Sequence, residues 1–376
     1  LKRVLIYYTP NKRSIAIETL CKAVKEAGHE VFVLTLTTHG AFHEAVEKMG
    51  ISTFSYDIPR KPTWKYFLQH IRYLVSFCRQ HSIDVVWSHL QGANVIAVLA
   101  QPFLRAEVIA FRHHAESAFY AEYGAQFNMQ RNKNEAQLDK LANRLAKKIV
   151  VPSSGVWYGM EKYEGCDMSK VVLAPYIYDF STYGKPDTAN FKKLREDHPC
   201  RLMLIMVSRM VESKQHMPVF EVLLKLIREG LSIKMIVMDD GDLKPLLENF
   251  IRDHKLEQNI LMVGFKTNFV DYMAASDLLM HPSLTEASSN VAKEMGLLKK
   301  SVAVCEGVGD FNDYIRAGVN GFILKRDDLK NSIEEAIRQA YSHPGQLTTM
   351  GEKLHEDVFR LFADTNENRQ RFLRLI

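Results

Sequence analysis

The sequence is short of several things, and each shortage removes a class of protein. Its five cysteines, Cys21, Cys78, Cys166, Cys200 and Cys305, are scattered over 376 residues without a Cys-x-x-Cys pair. That spacing supports neither a disulfide framework nor a zinc site, and it points to a reducing compartment. No apolar run approaches the roughly eighteen residues that a membrane helix needs, and no secretory segment opens the chain. A soluble, cytoplasmic protein is expected. No Gly-x-Gly-x-x-Gly follows VLIYY (4–8) or LMLIM (202–206), which argues against a Rossmann dehydrogenase. No His/Asp/Cys set has ligand spacing, so no metal is expected. No basic stripe is interleaved with stacking aromatics, so nucleic acid is not an expected partner.

What remains is a globular chain, 47% hydrophobic and too long for one core, which suggests two domains. The formal charge of +5 is unevenly spread. Residues 1–180 hold 22 basic and 16 acidic side chains, and the remainder holds 27 and 28. A basic half suits an anionic partner, although a solvated lysine-rich surface is the simpler reading for most of these residues.

Short apolar runs alternate with amphipathic segments. VLIYY, EVFVLTL, TFSYDI, IDVVWSH, EVIAFRH and KIVVPS read as strands of a first half. LMLIMVSR, IKMIVMDD, ILMVGF, DLLMHPS, VAVCEG and GFIL repeat the pattern in a second. Continuous apolar runs separated by helices indicate parallel strands covered on both faces. The fold class is therefore α/β: two doubly wound, Rossmann-like parallel-sheet domains. The join falls in the Pro-, Asp- and Lys-rich stretch 174–201, which gives domains of 1–180 and 181–349 followed by C-terminal helices over 350–376. Ligands of open parallel sheets sit outside the carboxyl ends of the strands, so a cleft between two such sheets is the expected site.

Chemistry-bearing residues sit at those ends. Arg112, His113 and His114 end one strand. Arg209 and Lys214 follow the first strand of the second half; a planar fork and a point charge together suit a diphosphate. Asp239, Asp240 and Asp242 read as a strand-to-helix turn, with Gly241 permitting the turn and an Asp capping the helix. In TEASSNVAKEMG (285–296), Ser288, Ser289 and Asn290 are N-cap candidates, and the first-turn amides beyond them suit an anion. Glu286 is expected to face away from that anion, toward hydroxyl groups, and Glu294 to come round to the same side. An acidic turn that merely complements the helix dipole is the alternative, and it would suffice for Glu294 alone.

These pieces resemble the retaining family 4 glycosyltransferases, which have the two-domain GT-B architecture. The resemblance rests on the E-x7-E signature Glu286–Glu294 after DLLMHPS, on S-R-M-x4-K carrying Arg209 and Lys214, on AGHEVFVLTL, and on the order of segments from ILMVGF to GFIL. It extends to the closing helices, the last of which it places back across the first domain. The resemblance implies sugar transfer from a nucleotide donor to a saccharide or lipid-linked acceptor, in surface polysaccharide or glycolipid assembly. It implies no metal and no cofactor, the nucleotide-sugar being a co-substrate. By it, Arg209 and Lys214 hold the diphosphate, Glu294 the ribose, and Glu286 the donor sugar. Ser288, Ser289 and Asn290 meet sugar or phosphate, Gly264 and Phe265 hold the base, and His113, or His114 beside it, contacts the sugar. UDP is the expected nucleotide because it is common in that family; GDP is the alternative.

The first loop, TPNKRSIA (9–16), lacks the Gly-Gly usual in that family and carries Asn11, Lys12 and Arg13, which offer cations to an anionic acceptor. That departure is the support for a second reading, a non-catalytic nucleotide-sugar sensor or assembly subunit. A relative that epimerises or phosphorolyses nucleotide sugars is a third. The basic half and the segment WKYFLQHIRYLVSFCRQH (64–81) raise a peripheral contact with the inner membrane face, against which an ordinary packing helix is preferred.

Overall fold

In both halves the apolar runs are strands, and the central ones are covered on both faces. The structure, a computed structural model, describes residues 1–58 and 64–376. The chain divides into two compact units, Leu1–Ser181 with Phe362–Ile376, and Thr182–Leu361.

The first unit holds β1 (Arg3–Tyr8), β2 (Glu30–Thr35), β3 (Ser52–Ser55), β4 (Val85–His89), β5 (Glu107–Phe111), β6 (Lys148–Val151) and β7 (Val171–Leu173). They form one sheet in the order β3-β2-β1-β4-β5-β6-β7, every pair parallel. The three-residue β7 is the strand that hydrophobic pattern did not announce. Side chains alternate across β1. Val4, Ile6 and Tyr8 pack with Leu20 and Val24 of the helix Ile15–Glu26, while Leu5 and Tyr7 pack with Leu74, Phe77 and Ile96. Burial on both faces is why such strands read as unbroken apolar runs. Each fully buried aliphatic side chain contributes about 1.5–3 kcal/mol. The segment 64–81 forms the helix Trp64–Gln80, which buries His70, Leu74, Phe77 and Cys78.

The C-terminal helix Asn366–Leu373 belongs to this unit. It buries Phe372 in the β1 core and fixes Arg369 against Asp364 and, at 2.8 Å, Glu26. The preceding helix, Pro344–Phe362, packs Leu354 and Val358 against Gly296 of the second unit, where a Cβ would meet Val358 at 2.8 Å.

The second unit holds β8 (Leu202–Val207), β9 (Ile233–Met238), β10 (Ile260–Gly264), β11 (Leu278–His281), β12 (Ser301–Cys305) and β13 (Phe322–Leu324). Their order is β10-β9-β8-β11-β12-β13, again all parallel. In both sheets the strand order reverses beside the unit's first strand, and at such a reversal the flanking loops diverge and leave a crevice. The helix Thr188–Asp197 opens the second unit, capped by Asp187, whose carboxylate accepts from the amides of Ala189 and Asn190. Among the described residues no helix is long and apolar enough to cross a membrane.

Candidate active site

In the second unit the loops after β8, β9, β11 and β12 interlock through backbone contacts. Met210 donates its amide to Asp240 O at 2.9 Å and accepts from the Leu243 amide at 2.9 Å. Gly241 makes this possible, because a Cβ there would lie 2.5 Å from Met210 O. The aspartates do not cap the next helix. Its N-cap is Leu243, and no side chain caps it. Asp239 and Asp240 instead accept from the amides that follow them, which tightens the turn.

This clamp leaves the two expected cations in different states. Arg209 is exposed, and among the described residues its guanidinium makes no hydrogen bond or ion pair; only its backbone carbonyl is engaged, accepting from the Val211 amide at 2.9 Å. Lys214 is not a free cation, because its Nζ donates to Glu286 Oε1, to Ser283 Oγ at 3.1 Å and to Thr285 O at 3.4 Å. Glu286 is correspondingly not turned toward open solvent. The same Oε1 lies 2.8 Å from His281 Nε2. Burial pushes the Glu286 carboxyl upward, but the hydrogen bond and charge of His281 and the Lys214 ammonium outweigh it. They hold the group well below the usual carboxylate range. Behind this cluster His216 is fully buried, with its ring pushed down to about 4 by burial and by the charges of His281 and Lys214. Gly309, at φ +54, lets the loop after β12 close on Glu286, where a Cβ would sit 2.8 Å from Glu286 Cβ.

The signature's serines are held by a buried ion pair. Lys293 and Asp310 are both fully buried and meet at 2.6 Å. Ser288 Oγ donates to Asp310 Oδ2 at 2.7 Å and accepts from Lys293, and the Ser289 amide donates to Asp310 Oδ1 at 3.2 Å. Ser289 occupies the N-cap position of the helix Asn290–Leu297 without a side-chain cap bond. The Ser288 hydroxyl and the Ser289 backbone are therefore spent on Asp310 and Lys293. Asn290, exposed, begins the helix, and its amide and those of Val291 and Ala292 are the orphan donors of any helix start. Glu294 is partly buried, and among the described residues its carboxylate has no partner; burial, opposed by the Lys293 charge, pushes it up to about 7. Gly264 ends β10 at φ +67, and Phe265 beside it is 77% exposed.

In the first unit His113 does not offer a free nitrogen. Its Nε2 lies 3.1 Å from His89 Nδ1, and its Nδ1 lies 2.6 Å from Tyr176 Oη. Burial, followed by the charges of His89, His114 and Arg112, holds it well below the ordinary histidine range. His114 is the exposed member of the pair. Of the first-loop residues, Arg13 is spent on Glu18 of the helix Ile15–Glu26, which it grips through both Nε and Nη2. Asn11 donates to Thr38 O at 3.0 Å. Lys12 is exposed, and its ammonium has no partner among the described residues. The missing glycines thus leave one cation here, not two.

Several partners escaped the sequence, among them His281, His89, Lys293, Asp310 and Tyr176. His281 stood in plain view at the end of DLLMHPS, and its strand-end position was the signal. Lys293, Asp310 and Tyr176 carried none, since nothing in a sequence announces that a lysine inside a helix is fully buried.

Comparison with known proteins falls on the same segments. Residues 14–179 match the family model Glycosyltransferase Family 4, and residues 188–357 match Glycosyl transferases group 1. The poly(ribitol-phosphate) alpha-N-acetylglucosaminyltransferase of Staphylococcus aureus is 21% identical over 157 residues, 42% of this chain and 32% of that protein. The N-acetylgalactosamine-N,N'-diacetylbacillosaminyl-diphospho-undecaprenol 4-alpha-N-acetylgalactosaminyltransferase of Campylobacter jejuni is 25% identical over 285 residues, 71% of this chain and 72% of that protein. The chain thus spans only about a third of the length of the first of these relatives. Among solved structures, Anabaena HepE in complex with UDP superimposes with a TM-score of 0.78 at 19% identity, over 99% of each chain.

Proposed function

The chain belongs to the GT4-type glycosyltransferases, with the GT-B fold, and from that premise we propose that it transfers a sugar from a UDP-sugar to a saccharide or lipid-linked acceptor with retention of configuration. The observation that carries the reading is the Lys214–Glu286–His281 cluster beside the unpartnered Arg209. It sets a neutralised ion pair and an exposed guanidinium on the loops that follow β8 and β11, which supports a reading in which they stabilise charge on a departing diphosphate.

In the proposed reaction the bond from the sugar's anomeric carbon to the diphosphate oxygen breaks. A bond to the acceptor hydroxyl forms on the same face, and the hydroxyl proton passes to the departing phosphate. Arg209 and the Lys214 ammonium stabilise the leaving charge, and the amides of Asn290–Ala292 add dipoles of the same sign. Glu286 contacts the donor sugar, Glu294 accepts from the ribose, and Phe265 is the surface on which the base rests. UDP complexes of the HepE neighbour and the diphospho-undecaprenol acceptor named for the Campylobacter relative support the donor and acceptor classes. The transfer needs no metal in this scheme, because the cations are the protein's own.

The test needs no acceptor. Incubation with a panel of UDP- and GDP-sugars should release nucleotide slowly from one UDP-sugar. Nucleotide binding without release from any donor, with or without saccharide acceptors, would favour the non-catalytic sensor.

Glu294 gives the proposal a pH dependence. Its carboxyl sits at about 7 in the folded chain against an ordinary 4.5. Ribose hydroxyls donate to the carboxylate form, which fills as pH rises through 7. UDP affinity measured by calorimetry should therefore tighten about tenfold from pH 6 to pH 8. Stability runs the other way in the ligand-free protein. A raised carboxyl contributes stability fully below its unfolded value, and that contribution is lost as pH rises through about 7. Glu294→Gln should flatten both profiles; an unchanged affinity profile in that variant would remove Glu294 from the nucleotide site.

A further inference from the structure

A cavity of about 300 Å³ in the first unit, at the carboxyl ends of β1, β4 and β5, has an electrostatic character opposite to that of its domain. Its floor is a closed set of charges. Arg112 meets Asp139 at 2.7 Å and Glu164 at 3.2 Å, and Arg131 pairs with the same two carboxylates. All four side chains are at most 14% exposed, and two guanidiniums balance two carboxylates. The cations that would attract an anion are already neutralised.

Two further carboxylates line the same cavity. Glu116 and Glu135 are both exposed, and among the described residues neither carboxylate has a hydrogen-bond or ion-pair partner; Glu135 is tied only through its backbone carbonyl, which accepts from Gln91 Nε2 at 2.9 Å. Both act on the same neighbour: burial, then the charges of Glu116 and Glu135, push the Tyr120 hydroxyl up. Thr9 adds a hydroxyl on the β1 side, where its Oγ1 accepts from the Ala93 amide at 3.3 Å. Unpaired carboxylates are acceptors only, so they take hydroxyl or ammonium donors and repel other anions.

We propose that this cavity seats one ring of the acceptor and selects an uncharged or amino-bearing pyranose over a uronate or a sugar phosphate. The inference rests on the transferase reading only for the word acceptor; the selectivity follows from the charge balance. The cavity is a separate site from Asn11, Lys12 and Arg13 of the first loop, the residues expected to offer cations to an anionic acceptor.

The test is binding to the whole protein without nucleotide, read by saturation-transfer NMR with competition. The probes are methyl glucopyranoside, its 2-amino-2-deoxy analogue and methyl glucopyranosiduronate. The first two should bind, the glucuronide at least about tenfold more weakly. In a Glu116→Lys/Glu135→Lys variant the order should reverse; both side chains are exposed, so the fold is retained. Equal or tighter glucuronide binding, no binding of any probe, or no reversal in the variant would overturn the inference. Donor hydrolysis on the same preparation separates the two claims. Hydrolysis without glycoside binding removes the subsite and leaves the transferase; glycoside binding without hydrolysis does the opposite.

Discussion

Lys214→Ala should lower release of nucleotide from the sugar donor by about 10²–10³-fold, the usual cost of removing one charge-stabilising donor. Three contacts converge on this ammonium, from Glu286, Ser283 and Thr285, so its position is set before any ligand arrives. In the proposed reaction, removing it takes away a cation that stabilises the leaving diphosphate. It also leaves Glu286 with His281 as its partner, inside a largely buried site. Arg209→Ala should cost less, since Arg209 is exposed and unanchored and must be ordered by the ligand itself. Initial rates of UDP release would decide. A Lys214→Ala protein that keeps more than a tenth of the rate would refute the assignment. The same variant should be more stable to acid relative to neutral pH than the parent. The parent's depressed Glu286 carboxyl contributes stability above its ordinary value of 4.5, and that contribution is lost as pH falls toward its lower folded value.

The second large effect is on stability. Lys293→Met should destabilise the second unit by about 3–5 kcal/mol, because it leaves Asp310 fully buried without its countercharge. Lys293→Met combined with Asp310→Leu should recover much of that loss, since the penalty comes from the unpaired charge and less from the missing attraction. Urea unfolding of both variants tests this. A loss below about 1 kcal/mol in the single variant would mean that the pair is not buried as a unit. The double variant should nonetheless bind UDP weakly. Asp310 also holds Ser288 Oγ and the Ser289 amide, so without it the turn into the helix Asn290–Leu297 loses its anchor.

These two predictions show where the sequence was legible and where it stopped. Twelve of the thirteen strands were readable as apolar runs, because a parallel strand buried on both faces writes its burial directly into composition. The exception, β7, offers only Val171–Leu173, with Leu173 43% exposed, too short and too wet to leave a pattern. Strand ends were legible for the same reason, and with them the places of Arg209, Lys214, Glu286 and His113 on the loops that follow β8, β11 and β5.

What each of those residues is free to do was not legible. Lys12 and Arg13 are neighbours of like charge, yet one is open and the other is gripped by Glu18. His113 and His114 are adjacent, yet His89 and Tyr176 close both nitrogens of the first. Tyr176 lies 63 residues from His113, and Glu286 lies 72 residues from Lys214. The sequence by itself determined the two parallel sheets and the loops that carry polar groups, since periodicity and burial are local properties of composition. Only the tertiary structure decided which of those groups are spent on one another and which remain for a ligand. Charge pairing is set by distance in space, and a free cation and a paired one are written with the same letter.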